Sequence, residues 1–222
     1  MPKRLITDVD WPDGKAPGWK HTDTGMNGGR FGRIEHAVVC TPNGAPIFDR
    51  PIVHEGPHVI SPIWGFDEKG EILFGLVKEA RDTAAPADGT TSLAFWGPPR
   101  GFRDHNETPE QAARREAGEE AGARVALSAC YVGDHITNET CTGSWSPVVM
   151  LQVDLRRLFE LQPDRGEKIY KASFFSLDEV AEMIRAGEHD GALTTSFVLV
   201  SALALFQIHV LPRIHAGELM PA

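Results

Sequence analysis

Residues 101–123 read GFRDHNETPEQAARREAGEEAGA, and they decide how the rest of the chain is read. They predict a helix with both ends written into it. Thr108 can cap the N-terminus, Pro109 suits the first turn, where its missing N–H is no loss, and Gln111 completes a capping box. Gly122 supplies the left-handed residue on which helices often stop. Between these caps, Ala113, Ala117 and Ala121 share one face and are small enough for close packing against a sheet. Glu116 and Glu120, four residues apart, share another face, with Glu119 beside them.

Three carboxylates at that spacing repel one another, and no lysine follows to relieve them. Taken alone, such a group is usually a solvated acidic surface. Its other reading is a site for a hard divalent ion, since carboxylate oxygens at this density suit Mg²⁺ or Mn²⁺. Charge over the whole chain bears on the choice. Among 222 residues, Lys and Arg number 22 and Asp and Glu 31, a formal net charge of -9. General attraction to a nucleic-acid backbone is thereby excluded. A polyphosphate would also be repelled unless a cation stood between it and the carboxylates.

The rest of the stretch tips the balance. Gly101, Glu107, Arg115, Glu116, Glu119, Glu120 and Gly122 fill every fixed position of G-x5-E-x7-R-E-U-x-E-E-x-G-U, where U is a bulky aliphatic residue. Ala117 and Ala123 stand at the two U positions, apolar but small. This pattern resembles the box of the Nudix hydrolases. The resemblance implies an α+β fold, a Nudix-like α/β/α sandwich with a mixed sheet and added N-terminal antiparallel strands. It implies Mg²⁺ (or Mn²⁺) held by Glu116, Glu119, Glu120 and the backbone carbonyl of Arg100. Arg115 would orient a glutamate, Glu107 would tie loop to helix, and Gly101 would permit a backbone shape that a Cβ obstructs.

Outside the box, residues 45–81 are similar to the ADP-ribose pyrophosphatase branch. Arg50-Pro51-Ile52-Val53-His54 resembles the strand preceding the core, and Val77-Lys78-Glu79-Ala80-Arg81 resembles a V-x-Q-x-R strand end in which Glu79 replaces the usual glutamine. Pro99-Arg100-Gly101-Phe102 resembles a related P-R-G-F entry. Arg81, Arg100 and Phe102 would then meet the substrate, and Glu167, on a loop after the box, would add a ligand or a base. The stretch Thr137-Asn138-Glu139-Thr140 carries no proline where many ADP-ribose enzymes have one, which leaves nucleotide sugars and dinucleotides open. The expected function is hydrolysis of a nucleoside diphosphate linked to another moiety, ADP-ribose or a similar nucleotide sugar first. A nucleotide-binding sensor of the same fold without catalysis is the alternative.

The expected organisation is an N-terminal arm with strands over residues 1–54, serving as a homodimer contact, and a hydrolase domain over residues 55–222. Residues 1–28 read as an irregular arm. Strands are expected over residues 33–41, 45–53, 58–64, 71–78, 92–95, 125–135 and 147–155, and around Phe174 and Phe175. A loop is expected over residues 96–107, a short helix over 177–186 with Ser176 and Glu179 as a capping box, and a buried helix over 192–211. Cys40, Cys130 and Cys141 form no C-x-x-C pair, and residues 1–20 hold no apolar core of a secretory signal, so a cytoplasmic protein is expected. Trp64, Phe102 and Trp145 could stack on a base, although aromatics of this kind are more often simply packed, and His105 reads as a solvated loop residue.

Overall fold

A computed structural model describes residues 18–27, 32–40, 46–81, 93–136, 145–163 and 168–220. The chain divides into two compact units, Met1–Pro57 with Ile136–Trp145, and His58–His135 with Ser146–Ala222.

In the first unit, β1 (Gly18–Asn27), β2 (Gly32–Cys40) and β3 (Pro46–Glu55) form an antiparallel sheet in that order. Trp19 lies opposite Val39, and Val39 opposite Phe48. Gly18–Asn27 therefore corrects the expected irregular arm. Its sequence, GWKHTDTGMN, has no apolar alternation to announce a strand. It is a strand because its backbone groups pair with β2.

The second unit contains the remaining elements: β4 (His58–Ile60), β5 (Ile63–Phe66), β6 (Ile72–Arg81), β7 (Leu93–Gly97), β8 (Arg100–Phe102), α1 (Pro109–Ala121), β9 (Ala126–Ile136), β10 (Trp145–Val153), a 3₁₀ turn (Leu155–Arg157), β11 (Ile169–Ser176), α2 (Leu177–Ala186), β12 (Glu188–His189), β13 (Ala192–Leu193), α3 (Phe197–His209) and α4 (Leu211–His215). Its sheet runs β12-β13-β7-β6-β5-β10-β4-β8, with β11 beside β6 and β9 beside β10. It is mixed: β10 is parallel to β4 and β5, and β13 to β7, while β6 is antiparallel to β5, β7 and β11.

Period-two alternation along the strands divides the core between the two faces of the sheet. Val59, Ile63, Val77, Val149, Leu151 and Val153 pack with Ala112, Ala113, Ala117 and Ala121 of α1. The intervening residues Trp64, Phe74, Leu76, Val148 and Met150 pack with Val180 and Met183 of α2 and Leu199, Ala202, Leu203 and Phe206 of α3. This is the α/β/α sandwich with a mixed sheet. Each large side chain so buried contributes about 1.5–3 kcal/mol. Trp64 sits wholly in this second core, edge-on to Phe66 and Phe206 at ring separations of 5.6 Å, and has no face to offer a base.

Three boundaries depart from expectation. The run 58–64 is two strands, because Pro62 has no N–H to continue a ladder. The Ser61 amide donates instead to Pro99 O at 2.8 Å, and Pro62 O accepts from the Leu151 amide at 2.9 Å. The loop 96–107 contains β8, whose three residues pair with β4. The last helix begins at Phe197, capped by Ser196, because Ala192 and Leu193 are drawn into the sheet beside Phe95. Phe197–His215 has a mean hydropathy of 1.8, enough by length and composition to cross a membrane, yet α3 seats Leu199, Ala202, Leu203 and Phe206 in the protein core.

Candidate functional site

α1 is placed by its own caps. Thr108 Oγ1 accepts from the Gln111 amide at 3.2 Å, and the Thr108 amide donates to Gln111 Oε1 at 2.9 Å. At the other end Gly122 adopts φ 66°, and a Cβ there would collide with the Phe159 carbonyl. With Ala112, Ala113 and Ala117 fully buried against the sheet, the opposite edge of the helix is pressed toward β8.

That contact takes the glutamates out of solvent. Glu116 is 3% exposed and Glu120 2%, so the solvated-surface reading does not describe them. Glu120 Oε2 accepts from the Arg100 amide at 2.9 Å. The Glu116 carboxylate lies against the bare Cα of Gly101, where an added Cβ would overlap its atoms. Glu119, on the same side, keeps 29% of its side-chain surface.

Arg115 gathers this group. Its Nη1 donates to Glu116 Oε1 at 2.8 Å and Glu119 Oε2 at 2.9 Å. Its Nη2 donates to Phe102 O at 2.8 Å and Glu107 Oε2 at 3.1 Å, and its Nε to Glu107 Oε1 at 3.1 Å. Burial works against the Arg115 charge, but the bond to Glu107, the charge of Glu116 and the bond to Glu119 outweigh it and raise its pKa far above the ordinary value. Burial likewise pushes the Glu107 carboxyl up. The Arg115 bond and the Asp104 amide, 2.9 Å from Glu107 Oε2, win and hold it below the ordinary range. Only the rigid guanidinium fork can serve so many acceptors from one side chain.

A second charged pair adjoins the first group. Arg100 Nη2 donates to Glu79 Oε1 at 2.8 Å, with side-chain exposures of 19% and 7%. The sequence marked Glu79 as a departure and offered Arg100 to the substrate; nothing in it linked the two. Nor did it show that His58 lies opposite Phe102 in the β4–β8 ladder, its ring edge-on to Phe102 at 6.2 Å. His58 Nε2 also shares a short hydrogen bond with the buried Ser146 hydroxyl. These contacts span up to 88 residues, and strand register alone creates them.

Other sequence-proposed residues lie apart or beyond view. Arg81 ends β6 opposite Leu93, and its side chain lies outside the described residues. Glu167 and the side chain of Trp145 also lie outside them. The segment following Glu167 is anchored beside Glu79: Lys168 O accepts from the Ala80 amide at 3.0 Å, and Ile169 pairs with Glu79. His105 is exposed on its loop.

Among the described residues no three His, Cys, Asp or Glu side chains converge as a ready-made metal cage. The carboxylates face Arg115 and backbone amides instead. Their chemistry nevertheless fits a hard divalent ion: anionic oxygens only, two of the carboxylates buried, beside a glycine that leaves room for them. A separate pocket of about 460 Å³ opens near the β5–β6 turn, and no residue of 101–123 lines it. Several of its polar groups are already committed. Asp67 accepts from the Lys69 and Glu71 amides, Asp154 from Arg156, and Gln152 bonds Ser128 and Met220 O.

Comparison with known proteins agrees with this geometry. A family model described as the NUDIX domain matches residues 57–195. A crystal structure of an ADP compounds hydrolase shares the fold with a TM-score of 0.59, over 91% of this chain and 97% of that one, at 19% sequence identity. No match is found among the curated proteins. Since the family model spans the capped helix and the sheet on both sides of it, the chain belongs to the Nudix family of hydrolases.

Proposed function

We propose that the chain hydrolyses the diphosphate linkage of a nucleoside diphosphate joined to a second moiety, with ADP-ribose or a similar nucleotide sugar as the first substrate class. The observation that carries this is the burial of Glu116 and Glu120 on one face of α1, against the strand that holds Arg100 and Gly101. Two buried carboxylates side by side carry a high desolvation cost, which Arg115 and the Arg100 amide offset in part and a divalent ion would offset further. Glu116, Glu119 and Glu120, with the Arg100 carbonyl, would hold Mg²⁺ or Mn²⁺. The bound ion would supply charge neutralisation for phosphate oxygens and a lowered pKa for water. The name of the structural neighbour, an ADP compounds hydrolase, supports the choice of substrate class.

In the reaction, the oxygen of water forms a bond to one phosphorus, and the bond from that phosphorus to the bridging oxygen breaks. The leaving phosphate takes the electron pair. Glu119, the most accessible of the three glutamates, would take the proton from water, while Arg115, bonded to both Glu116 and Glu119, would offset their mutual repulsion. Arg81 and Phe102 would meet the substrate, and Glu167 would add a ligand or a base. A homodimer contact through the strands of residues 1–54 belongs to the same proposal, and light scattering tests it.

The test is a panel of ADP-ribose, a nucleotide sugar and a dinucleotide in ¹⁸O-water with Mg²⁺. Two monophosphates are expected, one of them labelled. Glu120→Gln is expected to turn over about 100-fold more slowly with an unchanged circular dichroism spectrum. If no member of the panel is cut by the intact protein, the proposal fails.

A further inference from the structure

The Glu79–Arg100 pair has no role in the chemistry above, yet it touches the frame of the site. Glu79 is 5% exposed and lies on β6, whereas Arg100 opens β8. β6 and β8 are not neighbours in the sheet order. Burying a carboxylate and a guanidinium together costs several kcal/mol per ion before their attraction is counted, so a pair of this kind is a weak source of net stability. What it does supply is geometry. The residue whose guanidinium is held at 2.8 Å by Glu79 is the one whose amide donates to Glu120 at 2.9 Å. The next residue, Gly101, is the one against which Glu116 rests. Fixing the Arg100 side chain therefore fixes the peptide that both buried glutamates are built on.

We infer that Glu79 is a positioning residue, which anchors the Arg100 guanidinium so that the backbone of residues 100–101 holds Glu120 and Glu116 in place for a divalent cation. The inference rests on the proposed diphosphate hydrolysis for its kinetic consequence, but not for its cation-binding one. It also assigns the Arg100 side chain away from substrate. A guanidinium already paired with a carboxylate has little net charge left for a phosphate. A neutral glutamine at position 79 would leave that charge uncompensated, and Glu79 cancels it.

The experiment uses the full chain and the variants Glu79→Ala, Arg100→Ala and the double variant. Mn²⁺ alone is titrated into each, without substrate, and read by calorimetry. Each single variant is expected to bind Mn²⁺ about tenfold more weakly. The double variant is expected to be no worse than the weaker single, because the two residues act as one unit. Kinetically, kcat should fall about tenfold while KM stays within about threefold. A tenfold rise in KM for Arg100→Ala, with Mn²⁺ affinity and kcat intact, makes Arg100 a substrate anchor and overturns the inference. Lower melting temperatures with unchanged Mn²⁺ affinity overturn it too, since the pair is then only structural. Should a single variant unfold at the assay temperature, the charge-swapped Glu79→Arg/Arg100→Glu protein replaces it. Recovered Mn²⁺ affinity in that protein supports the inference, and a folded swap without recovery defeats it. A wild-type chain that binds Mn²⁺ but cuts no diphosphate defeats the proposed reaction and leaves the calorimetric arm to decide the positioning role.

Discussion

The Glu116 carboxylate fills the space in which any other residue at position 101 would carry its Cβ: all three of its carboxylate atoms would lie within 2.6 Å of that carbon. The glycine is required here by a neighbour, 15 residues on, rather than by a turn. Glu116 is itself buried and bonded to Arg115, so it has little room to retreat.

Gly101→Ala is therefore expected to displace the Glu116 carboxylate and to pull on Arg115. Overpacking of this kind costs about 1–3 kcal/mol. Thermal melting reads that loss, and Mn²⁺ calorimetry reads the effect of the displaced carboxylate on the proposed ion site. A variant with wild-type melting and wild-type Mn²⁺ affinity would show that the site tolerates the extra carbon.

Arg115→Lys preserves the charge but loses the fork. The guanidinium serves Glu107, Glu116, Glu119 and the Phe102 carbonyl at once, and an ammonium has three donors on a single nitrogen. Hydrogen bonds to charged groups contribute about 1.5–3 kcal/mol each, so the loss of one or two should lower the urea midpoint by a corresponding amount. Stability equal to wild type would show that the network carries no net energy.

Acid should loosen the loop before the helix. Glu107 has a folded-state pKa held below its ordinary value of 4.5 by Arg115 and the Asp104 amide, despite the opposing effect of burial. A depressed carboxylate contributes stability above its unfolded pKa and loses it as the pH falls through the folded one. Unfolding free energy should thus be level near neutrality and decline below about pH 4.5. Glu107→Gln should be less stable at neutral pH and show a shallower acid decline. Parallel curves for the two proteins would remove Glu107 as a source of the pH dependence.

If the proposed site is right, a divalent cation should stabilise the fold, since it would bind the native arrangement of glutamates and not the unfolded chain. Linkage gives about 2.7 kcal/mol when the free ion is at 100 times its Kd. The melting temperature should rise with added Mg²⁺ or Mn²⁺ and fall again with a chelator. Glu120→Gln should blunt the rise. An equal rise in that variant would place the ion elsewhere.

Legibility followed the range of the determining contacts. The ends of α1 and α2 were readable because Thr108, Gln111 and Gly122, and Ser176 and Glu179, act within a few residues of one another. β6 and β10 were readable because each carries a nearly unbroken apolar run, the mark of a strand buried on both faces. Gly18–Asn27 was not, since pairing with β2 rather than an apolar face makes it a strand. The division at Ser61 and Pro62 shows in sequence only as a proline. Where the Ser61 amide goes, to Pro99, depends on the link between β7 and β8, nearly forty residues away.

The same division runs through the site. The box itself, seven residues at set spacing around one capped helix, was determined by sequence alone, because helical geometry converts spacing directly into a shared face. Only the tertiary structure decided that Glu116 and Glu120 leave solvent, that Gly101 makes room for one and the Arg100 amide binds the other, and that Glu79 meets Arg100. The reason is physical. Burial and ion pairing depend on which strands the sheet brings together, and strand order is set by the packing of two cores, not by any local run of residues.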